Sequence, residues 1–85
     1  MSNAIQRLPE VKADSGLSRS SIYAYVAQGL WTHPVRIGPR AVGWPRREVE
    51  AINAARIAGR SADQIRTLVA ELEAARVQSG QSAQA

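Results

Sequence analysis

Apolar residues recur at helical spacing in the first part of the chain, and the recurrence stops at a glycine. Residues 8–15 carry Leu8 and Val11 on one face, Pro9 in the first turn and Gly16 after the last turn. Proline is tolerated at the start of a helix because the N–H that it lacks has no partner there, and glycine readily takes the left-handed conformation that ends one. The pattern therefore predicts a short helix over residues 8–15.

A second helix is predicted over residues 18–28, directly after the first. Ser18 is a favourable N-cap because its hydroxyl can accept a hydrogen bond from an unpaired amide of the first turn, and Gly29 follows the last turn. Ile22 and Val26 are about one helical turn apart and supply an apolar face. Two short helices joined by a glycine-containing turn form a helix-turn-helix.

Between residues 35 and 44 the pattern changes from helical spacing to alternation, which predicts two short strands around a turn at Gly38-Pro39-Arg40. We expect Arg36 to point outward. The side chains expected to point inward are Val35, Ile37, Val42 and Trp44. A two-stranded hairpin is not stable alone, so this one must pack against the helices.

Two more helices are predicted in the second half of the chain. One covers residues 45–58, and its expected core residues are Val49, Ile52 and Ala55, with Ile57 as a further candidate. The other begins at Ser61, where Gln64 completes a Ser-x-x-Gln capping box, and its apolar stripe contains Ile65, Leu68, Val69 and Leu72. That stripe either covers a thin core or contacts a neighbouring protomer, and we favour the cover.

The order helix, turn, helix, hairpin, helix is that of a winged helix-turn-helix. The predicted fold class is mainly α with a small β-hairpin, followed by a C-terminal fourth helix. We expect a disordered lead over residues 1–6, a winged helix-turn-helix DNA-binding domain over 7–59, a C-terminal helix over 60–78 and a disordered tail over 79–85.

The composition excludes several classes of protein. The 85 residues contain no cysteine and a single histidine, His33, which excludes disulfides, thiolate metal sites and multi-histidine metal sites. No acidic or thiol side chain stands near His33 in the sequence, although a catalytic histidine needs such a partner. No apolar run is long enough to span a bilayer, and no secretory signal is visible. We therefore expect a non-enzymatic cytoplasmic protein without a cofactor, a metal or membrane contact.

Positive charge is concentrated in the first half of the chain. The formal net charge is +4, and residues 1–47 hold seven of the eleven Lys and Arg residues but only two of the seven Asp and Glu residues. Nucleic acid is the commonest large anion in a cytoplasm, and arginine suits phosphates and guanine edges. The alternative is a solvated basic face that has no partner.

Eight residues are candidate DNA contacts. In a winged helix-turn-helix the N-terminal end of the second helix enters the major groove, and the wing lies beside the duplex. The candidates are Arg19, Ser20, Ser21 and Tyr23 on the second helix, Arg36 and Arg40 on the wing, and Arg46 and Arg47 just after it. The two serines are equally compatible with helix capping, and the arginines with solvation. The aromatic residues expected in the core are Trp31, Trp44 and Tyr25.

Two segments carry a family resemblance. They are Gly-Leu-Ser-Arg-Ser-Ser-Ile-Tyr at residues 16–23 and Gly-Pro-Arg-Ala-Val-Gly-Trp at residues 38–44. Together with Leu-Pro-Glu-Val at residues 8–11, they resemble the AlpA-type regulators of prophages and integrative elements, which are similar in turn to small winged-helix excisionases and to the DNA-binding head of MerR-type regulators. The resemblance covers residues 7–59. It implies a winged-helix DNA-binding protein of a mobile element, with Arg19, Ser20, Ser21 and Tyr23 on the recognition helix and Arg36 and Arg40 on the wing.

Three positions depart from that family's pattern. Ala24 stands where a basic residue is common, Thr32 where proline is usual before the strand, and Asn53 where the third helix usually has an apolar residue. The first departure removes one expected phosphate contact, and the third predicts different packing around the third helix.

The resemblance implies two functions that share one binding chemistry. The favoured one is an excisionase, or recombination directionality factor, whose neighbouring protomers bind double-stranded DNA cooperatively and head-to-tail beside an attachment site, bend it and bias an integrase toward excision. The alternative is a transcriptional regulator of integrase or excisionase genes. A third hypothesis, from another class, is a protein-interaction module that docks on an integrase through residues 61–77. Each places the protein in the bacterial cytoplasm, and the first two place it at the nucleoid.

Overall fold

A computed structural model describes the backbone of residues 5–84 and the side chains of residues 5–76. The elements are β1 (Ile5–Gln6), α1 (Leu8–Ser15), α2 (Arg19–Gln28), β2 (Val35–Gly38), β3 (Ala41–Pro45), α3 (Arg46–Ile57) and α4 (Ala62–Gln84). The fold is a helix-turn-helix, a hairpin wing, a third helix and a C-terminal helix, so the predicted fold class is confirmed. No helix within the described part of the chain is long and apolar enough to cross a membrane.

The two helices of the helix-turn-helix begin and end where the sequence predicts. Gly16 follows α1 with φ 74°, a left-handed conformation that a residue with a side chain rarely adopts. Ser18 caps α2, because its hydroxyl accepts a hydrogen bond from the amide of Ser21 at 3.1 Å. The turn between α1 and α2 therefore has three residues, and its geometry is fixed by residues visible in the sequence.

The sheet contains a third strand that the sequence analysis did not predict. Residues Ile5–Gln6 pair with β3 in antiparallel fashion, with Gln6 opposite Trp44, and the strand order is β1-β3-β2. Both residues fall in the segment predicted to be a disordered lead, because so short a stretch carries no periodicity. Residues 1–4 of that lead lie outside the described residues.

The register of the hairpin corrects the predicted direction of Arg36. This residue lies opposite Val42 on β3. Directly opposed residues in an antiparallel pair project to the same side of the sheet, and Val42 and Trp44 are two positions apart. Arg36 therefore shares a face with Trp44, which is fully buried against the helices. Arg36 is exposed, as predicted, but it stands on the face of Trp44 and not on the opposite face.

An irregularity in β2 explains the error. The pairing shifts between Arg36 and Gly38, so Ile37 lies at a bulge. Ile37 is 40% exposed and packs over Gly43 on the outer face of the sheet. Ile5 lies on the same face, since a Cβ added to Gly43 would stand only 2.5 Å from Cγ2 of Ile5. Val35 lies opposite Gly43 and projects to this outer face as well. The prediction that Val35 and Ile37 point inward is therefore wrong.

The core contains both tryptophans, as predicted, and residues from every helix. Its buried members are Val11, Ile22, Trp31, Trp44, Val49, Ile52, Ile65 and Val69. Tyr25 packs against this core and is partly buried. Ile57, a further candidate for the core, is 87% exposed because it lies in the last turn of α3, beyond the packed face.

The fourth helix packs on the core. Ser61 and Gln64 form the predicted capping box, with reciprocal hydrogen bonds of 2.9 and 3.2 Å. Ile65 and Val69 are buried in the core, which supports the predicted role of this helix as a cover. The helix continues to Gln84, whereas the sequence analysis expected it to end at residue 78, and Ala85 lies outside the described residues.

Candidate nucleic-acid interface

The first turn of α2 presents two polar side chains to solvent and uses a third internally. Arg19 and Ser20 are exposed. Ser21 is partly buried, and its amide donates to the hydroxyl of Ser18, which in turn donates to the hydroxyl of Ser21 at 3.1 Å. The structure therefore engages Ser21 in the cap of the helix and leaves Arg19 and Ser20 free to meet a ligand.

Tyr23 forms the floor beneath Arg19. The guanidinium carbon of Arg19 lies 5.8 Å from the centroid of the Tyr23 ring, which is within the range of a cation–π contact. Tyr23 is only partly buried, so its ring separates the charged side chain from the core. Tyr23, a candidate DNA contact, packs against the core in the structure, and its contact to DNA stays a prediction.

Trp44 holds Tyr23 against the wing. The two rings meet edge to face, with centroids 6.1 Å apart and an interplanar angle of 63°. The indole Nε1–H of Trp44 donates to the carbonyl of Thr32 at 2.8 Å, which fixes the ring where the chain enters β2. Arg19, Tyr23, Trp44 and Thr32 therefore form one connected path from the start of α2 to the base of the wing. We call it the aromatic bridge.

The wing places its arginines at the end of this path. Arg36 is exposed and shares the face of β3 that carries Trp44. Because Trp44 contacts Tyr23 of α2, this face turns toward α2. Arg40 is exposed in the turn between Gly38 and Ala41, which pair with each other. The aromatic bridge therefore connects the start of α2 to a wing whose exposed arginines are Arg36 on β2 and Arg40 in the turn.

Arg46 and Arg47 lie in the first turn of α3, and the structure does not join them to the aromatic bridge. The Nε of Arg46 lies 3.2 Å from a carboxylate oxygen of Glu50, one turn further along the same helix. Such an exposed pair contributes little to stability and is readily exchanged for another anion. Arg47 is exposed. A DNA contact of either residue stays a prediction.

The arginines fall into two groups that match the charge asymmetry of the sequence. Three arginines of the second half bind main-chain carbonyls of other elements, and they are Arg56 to Ser15, Arg66 to Gln28 and Arg76 to His33. By contrast, five arginines of the first half are exposed and have no ion pair among the described side chains, and in the second half only Arg60 shares that state. The five are Arg7, Arg19, Arg36, Arg40 and Arg47. The internal arginines hold the fold together, and the others keep their donors available.

Two features of this region were not predicted from the sequence. Trp44 was placed in the core but not identified as the support of Tyr23, since an edge-to-face contact across two elements leaves no local pattern. Asn53 was noted as a departure, and its amide donates to the carbonyl of Asp14 at 3.3 Å, near the end of α1. This polar residue therefore joins Arg56 in binding α3 to the C-terminal end of the first helix.

Comparison with known proteins identifies the family of this chain. Residues 4–57 match the family model described as prophage CP4-57 regulatory protein (AlpA). Uncharacterized protein ORF88 of Enterobacteria phage P4 is 46% identical over 54 residues, which make up 64% of this chain. The match spans 61% of that relative, so the chain covers about three fifths of its length. No solved structure matches.

Proposed function

The chain belongs to the AlpA family of phage regulatory proteins, and from this premise we propose that it binds double-stranded DNA through the N-terminal end of α2 and the wing. The surface concerned consists of Arg19, Ser20, Arg36 and Arg40, supported by the aromatic bridge. Arg47 and, on exchange of its partner Glu50, Arg46 extend it toward α3.

The observation that carries this proposal is the division of the arginines. Arg19, Arg36 and Arg40 are exposed and without ion pairs among the described side chains, whereas Arg56, Arg66 and Arg76 are bound to the protein itself. Three of the four arginines after residue 47 are bound by the protein itself, whereas those of α2 and the wing keep their donors free, and such a group of free cations suits an external polyanion.

The shape of the surface supports duplex DNA over a small anion. Arg19 and Ser20 project from the first turn of an α-helix, which fits the major groove and places side chains at base edges. The wing projects beyond it and can reach the phosphates of the adjacent backbone. We assign base contacts to Arg19 and Ser20, and backbone contacts to Arg36 and Arg40.

Within this function we propose that the protein is an excisionase, or recombination directionality factor, of a mobile element. Neighbouring protomers bind side by side next to an attachment site, bend the DNA and favour integrase-mediated excision. The small extent of the proposed surface supports this, since one small DNA-binding surface gains affinity by repetition along the duplex.

A transcriptional role in the same element is the second candidate. It is favoured by the family itself, which is described as one of regulatory proteins. The protein-interaction module receives less support, because Ile65 and Val69 of its proposed docking helix are buried in the core.

A gel shift with two duplexes tests these proposals. One duplex carries the attachment-site arm of the element, and the other carries the promoter of the integrase operon. Several evenly spaced complexes on the arm are expected for the excisionase, and a single complex on the promoter is expected for the transcriptional regulator. Failure to bind either duplex more tightly than unrelated DNA would refute the sequence-specific function.

A matched pair of variants makes the test specific to the proposed surface. Arg36→Ala removes a wing charge, and Arg60→Ala removes the same charge from the exposed turn between α3 and α4. We expect Arg36→Ala to weaken the shift and Arg60→Ala to leave it close to that of the wild type. Equal losses would show that net charge alone, and not this surface, drives binding.

A further inference from the structure

Glu73 and Arg76 of α4 both bind the main chain of residue 33. A carboxylate oxygen of Glu73 accepts a hydrogen bond from the amide of His33 at 2.7 Å and lies 2.8 Å from its ring Nδ1. Nη2 of Arg76 donates to the carbonyl of His33 at 2.7 Å. The two side chains are three residues apart and lie on the same face of the helix. A single helix therefore binds both the main-chain N–H and the main-chain carbonyl oxygen of His33.

Arg76 is itself held in place by a buried carboxylate. Its Nε and Nη2 donate to the two oxygens of Glu48 at 2.7 and 2.6 Å, and Glu48 is fully buried. A bidentate pair of this kind fixes the plane of the guanidinium group. Because Glu48 lies in the first turn of α3, the direction in which Arg76 reaches His33 is set by α3.

Residue 33 stands at the entrance to the wing. β2 begins two residues later and is an outer strand that pairs with β3 on one edge only, in the strand order β1-β3-β2. The entrance is fixed by three groups, which are the indole of Trp44 on the carbonyl of Thr32 and the two side chains of α4 on His33. Two of these three groups belong to α4.

We infer that Glu73 and Arg76 are positioning residues for the wing. They fix the point at which β2 leaves the helical core, and so they determine where Arg36 and Arg40 stand relative to α2. The inference rests on the proposed function, since it takes the wing to be a DNA contact. Both residues lie beyond residues 4–57, which the family model matches.

The charge state of the cluster agrees with this role. Burial raises the pKa of Glu73, but hydrogen bonds from the amide and ring of His33 and the charges of His33 and Arg76 outweigh it, so the pKa lies below its ordinary value. Glu73 is therefore a carboxylate at neutral pH, which is the form that accepts two hydrogen bonds at one oxygen.

A double-mutant cycle between α4 and the wing tests the inference. The variants are Glu73→Ala, Arg40→Ala and the combination of the two. Affinity is measured by fluorescence anisotropy on a labelled mixed-sequence duplex of about 30 base pairs at low salt, where phosphate contacts dominate. If α4 positions the wing, Arg40→Ala lowers affinity roughly five-fold in the wild type and less than about two-fold in the Glu73→Ala protein. Equal losses in both proteins would overturn the inference.

Val69→Ala is the matched control on the same helix. Val69 packs in the core one turn before Glu73, and its contacts there are apolar. This variant loosens α4 without removing a hydrogen bond to residue 33. We expect Arg40→Ala to lower DNA affinity by the same factor in the Val69→Ala protein as in the wild type. If Val69→Ala also abolishes the effect of Arg40→Ala, general destabilisation is responsible and the assignment to Glu73 fails.

Amide hydrogen exchange tests the positioning without DNA. We expect Glu73→Ala to speed exchange in β2 and β3 more than in α1 and α2, and Val69→Ala to show no such preference for the hairpin. If exchange rates in the hairpin are unchanged in Glu73→Ala, the inference is overturned even if the protein binds DNA. A wild-type protein that binds no duplex would refute the proposed function instead, while the exchange pattern still decides whether α4 positions the wing.

Discussion

The guanidinium group of Arg19 stands over the ring of Tyr23, with 5.8 Å between the guanidinium carbon and the ring centroid. Tyr23 rests in turn on Trp44, whose indole is hydrogen-bonded at the base of the wing. An exposed arginine ordinarily samples many rotamers, and ordering it on binding costs free energy. The aromatic floor reduces that cost, which supports the base contact proposed for Arg19.

Replacement of Tyr23 tests whether the ring acts through Arg19. Tyr23→Phe keeps the aromatic face and removes the hydroxyl, whereas Tyr23→Leu removes the face. An exposed cation–π contact is worth about 0.5–1 kcal/mol, so we expect Tyr23→Leu to lower specific DNA affinity about two- to five-fold and Tyr23→Phe to have little effect. Anisotropy titrations measure the affinities, and denaturant unfolding checks that both variants are folded. A loss in Tyr23→Phe equal to that in Tyr23→Leu would instead indicate that the hydroxyl contacts DNA.

Arg19 and Arg40 are expected to differ in what they contribute to binding. Arg19→Ala should reduce the ratio of specific to non-specific affinity, because a bidentate arginine–guanine contact discriminates by about 1–3 kcal/mol. Arg40→Ala should weaken binding to all sequences to a similar extent, since a phosphate contact carries no sequence information. Titrations on the specific site and on a scrambled duplex measure both quantities. If both variants reduce the ratio of specific to non-specific affinity by the same factor, the division of roles between helix and wing is wrong.

Binding should weaken steeply with salt. If the exposed arginines Arg19, Arg36, Arg40 and Arg47 each neutralise one phosphate, the slope of log K against log salt concentration is about −3 to −4. Replacing any one of these arginines by alanine should reduce the magnitude of this slope by about one. Titrations at several salt concentrations measure it. A slope near zero would be incompatible with the nucleic-acid function.

Removing one member of the buried pair Glu48–Arg76 should lower the stability of the protein more than removing both members. Arg76→Met leaves the fully buried carboxylate of Glu48 uncompensated, which we expect to destabilise the protein by about 3–5 kcal/mol. The double variant Glu48→Leu with Arg76→Met removes both charges and should recover much of that loss. Urea unfolding followed by circular dichroism compares the three proteins. A double variant no more stable than Arg76→Met would show that the pair itself stabilises the fold.

Stability should fall in acid partly through Glu73. Its pKa in the folded protein lies below the ordinary value of 4.5, because the hydrogen bonds and charges around it outweigh its burial. A depressed pKa stabilises the folded state above the unfolded value, and this contribution is lost as the pH falls below about 4.5. In Glu73→Gln the unfolding free energy should therefore fall less between about pH 5 and pH 3 than in the wild type. Thermal unfolding across this range measures the difference, and identical pH profiles would contradict it.

Much of the fold follows from short segments of the sequence. Gly16 and Ser18 determine where α1 ends and α2 begins, and Ser61 with Gln64 determines the start of α4. Each of these signals acts between residues at most four apart, so each is visible without knowledge of the rest of the chain. The exposed candidates Arg19, Ser20, Arg36 and Arg40 could be identified in the same way, from the order of the elements and the position of charge along it.

The tertiary structure decided what those residues face and what holds them. The strand at Ile5–Gln6 exists only because β3 offers it a free edge, and the bulge at Ile37 reverses the face on which Arg36 stands. Period-two alternation predicts which residues share a face. One inserted residue, however, reverses the faces of the residues on one side of it relative to those on the other side. No local pattern records such an insertion.

The sequence by itself therefore determined the order of the elements, their caps and the half of the chain that carries free positive charge. It did not determine that Glu48 is buried, that Arg76 pairs with it from 28 residues away, or that Glu73 reaches the amide of His33 from 40 residues away. Caps and periodicity are local and are fixed by the chemistry of neighbouring residues. The pairing of distant charges depends on which surfaces meet when the helices and the sheet pack together, and only the folded chain specifies that.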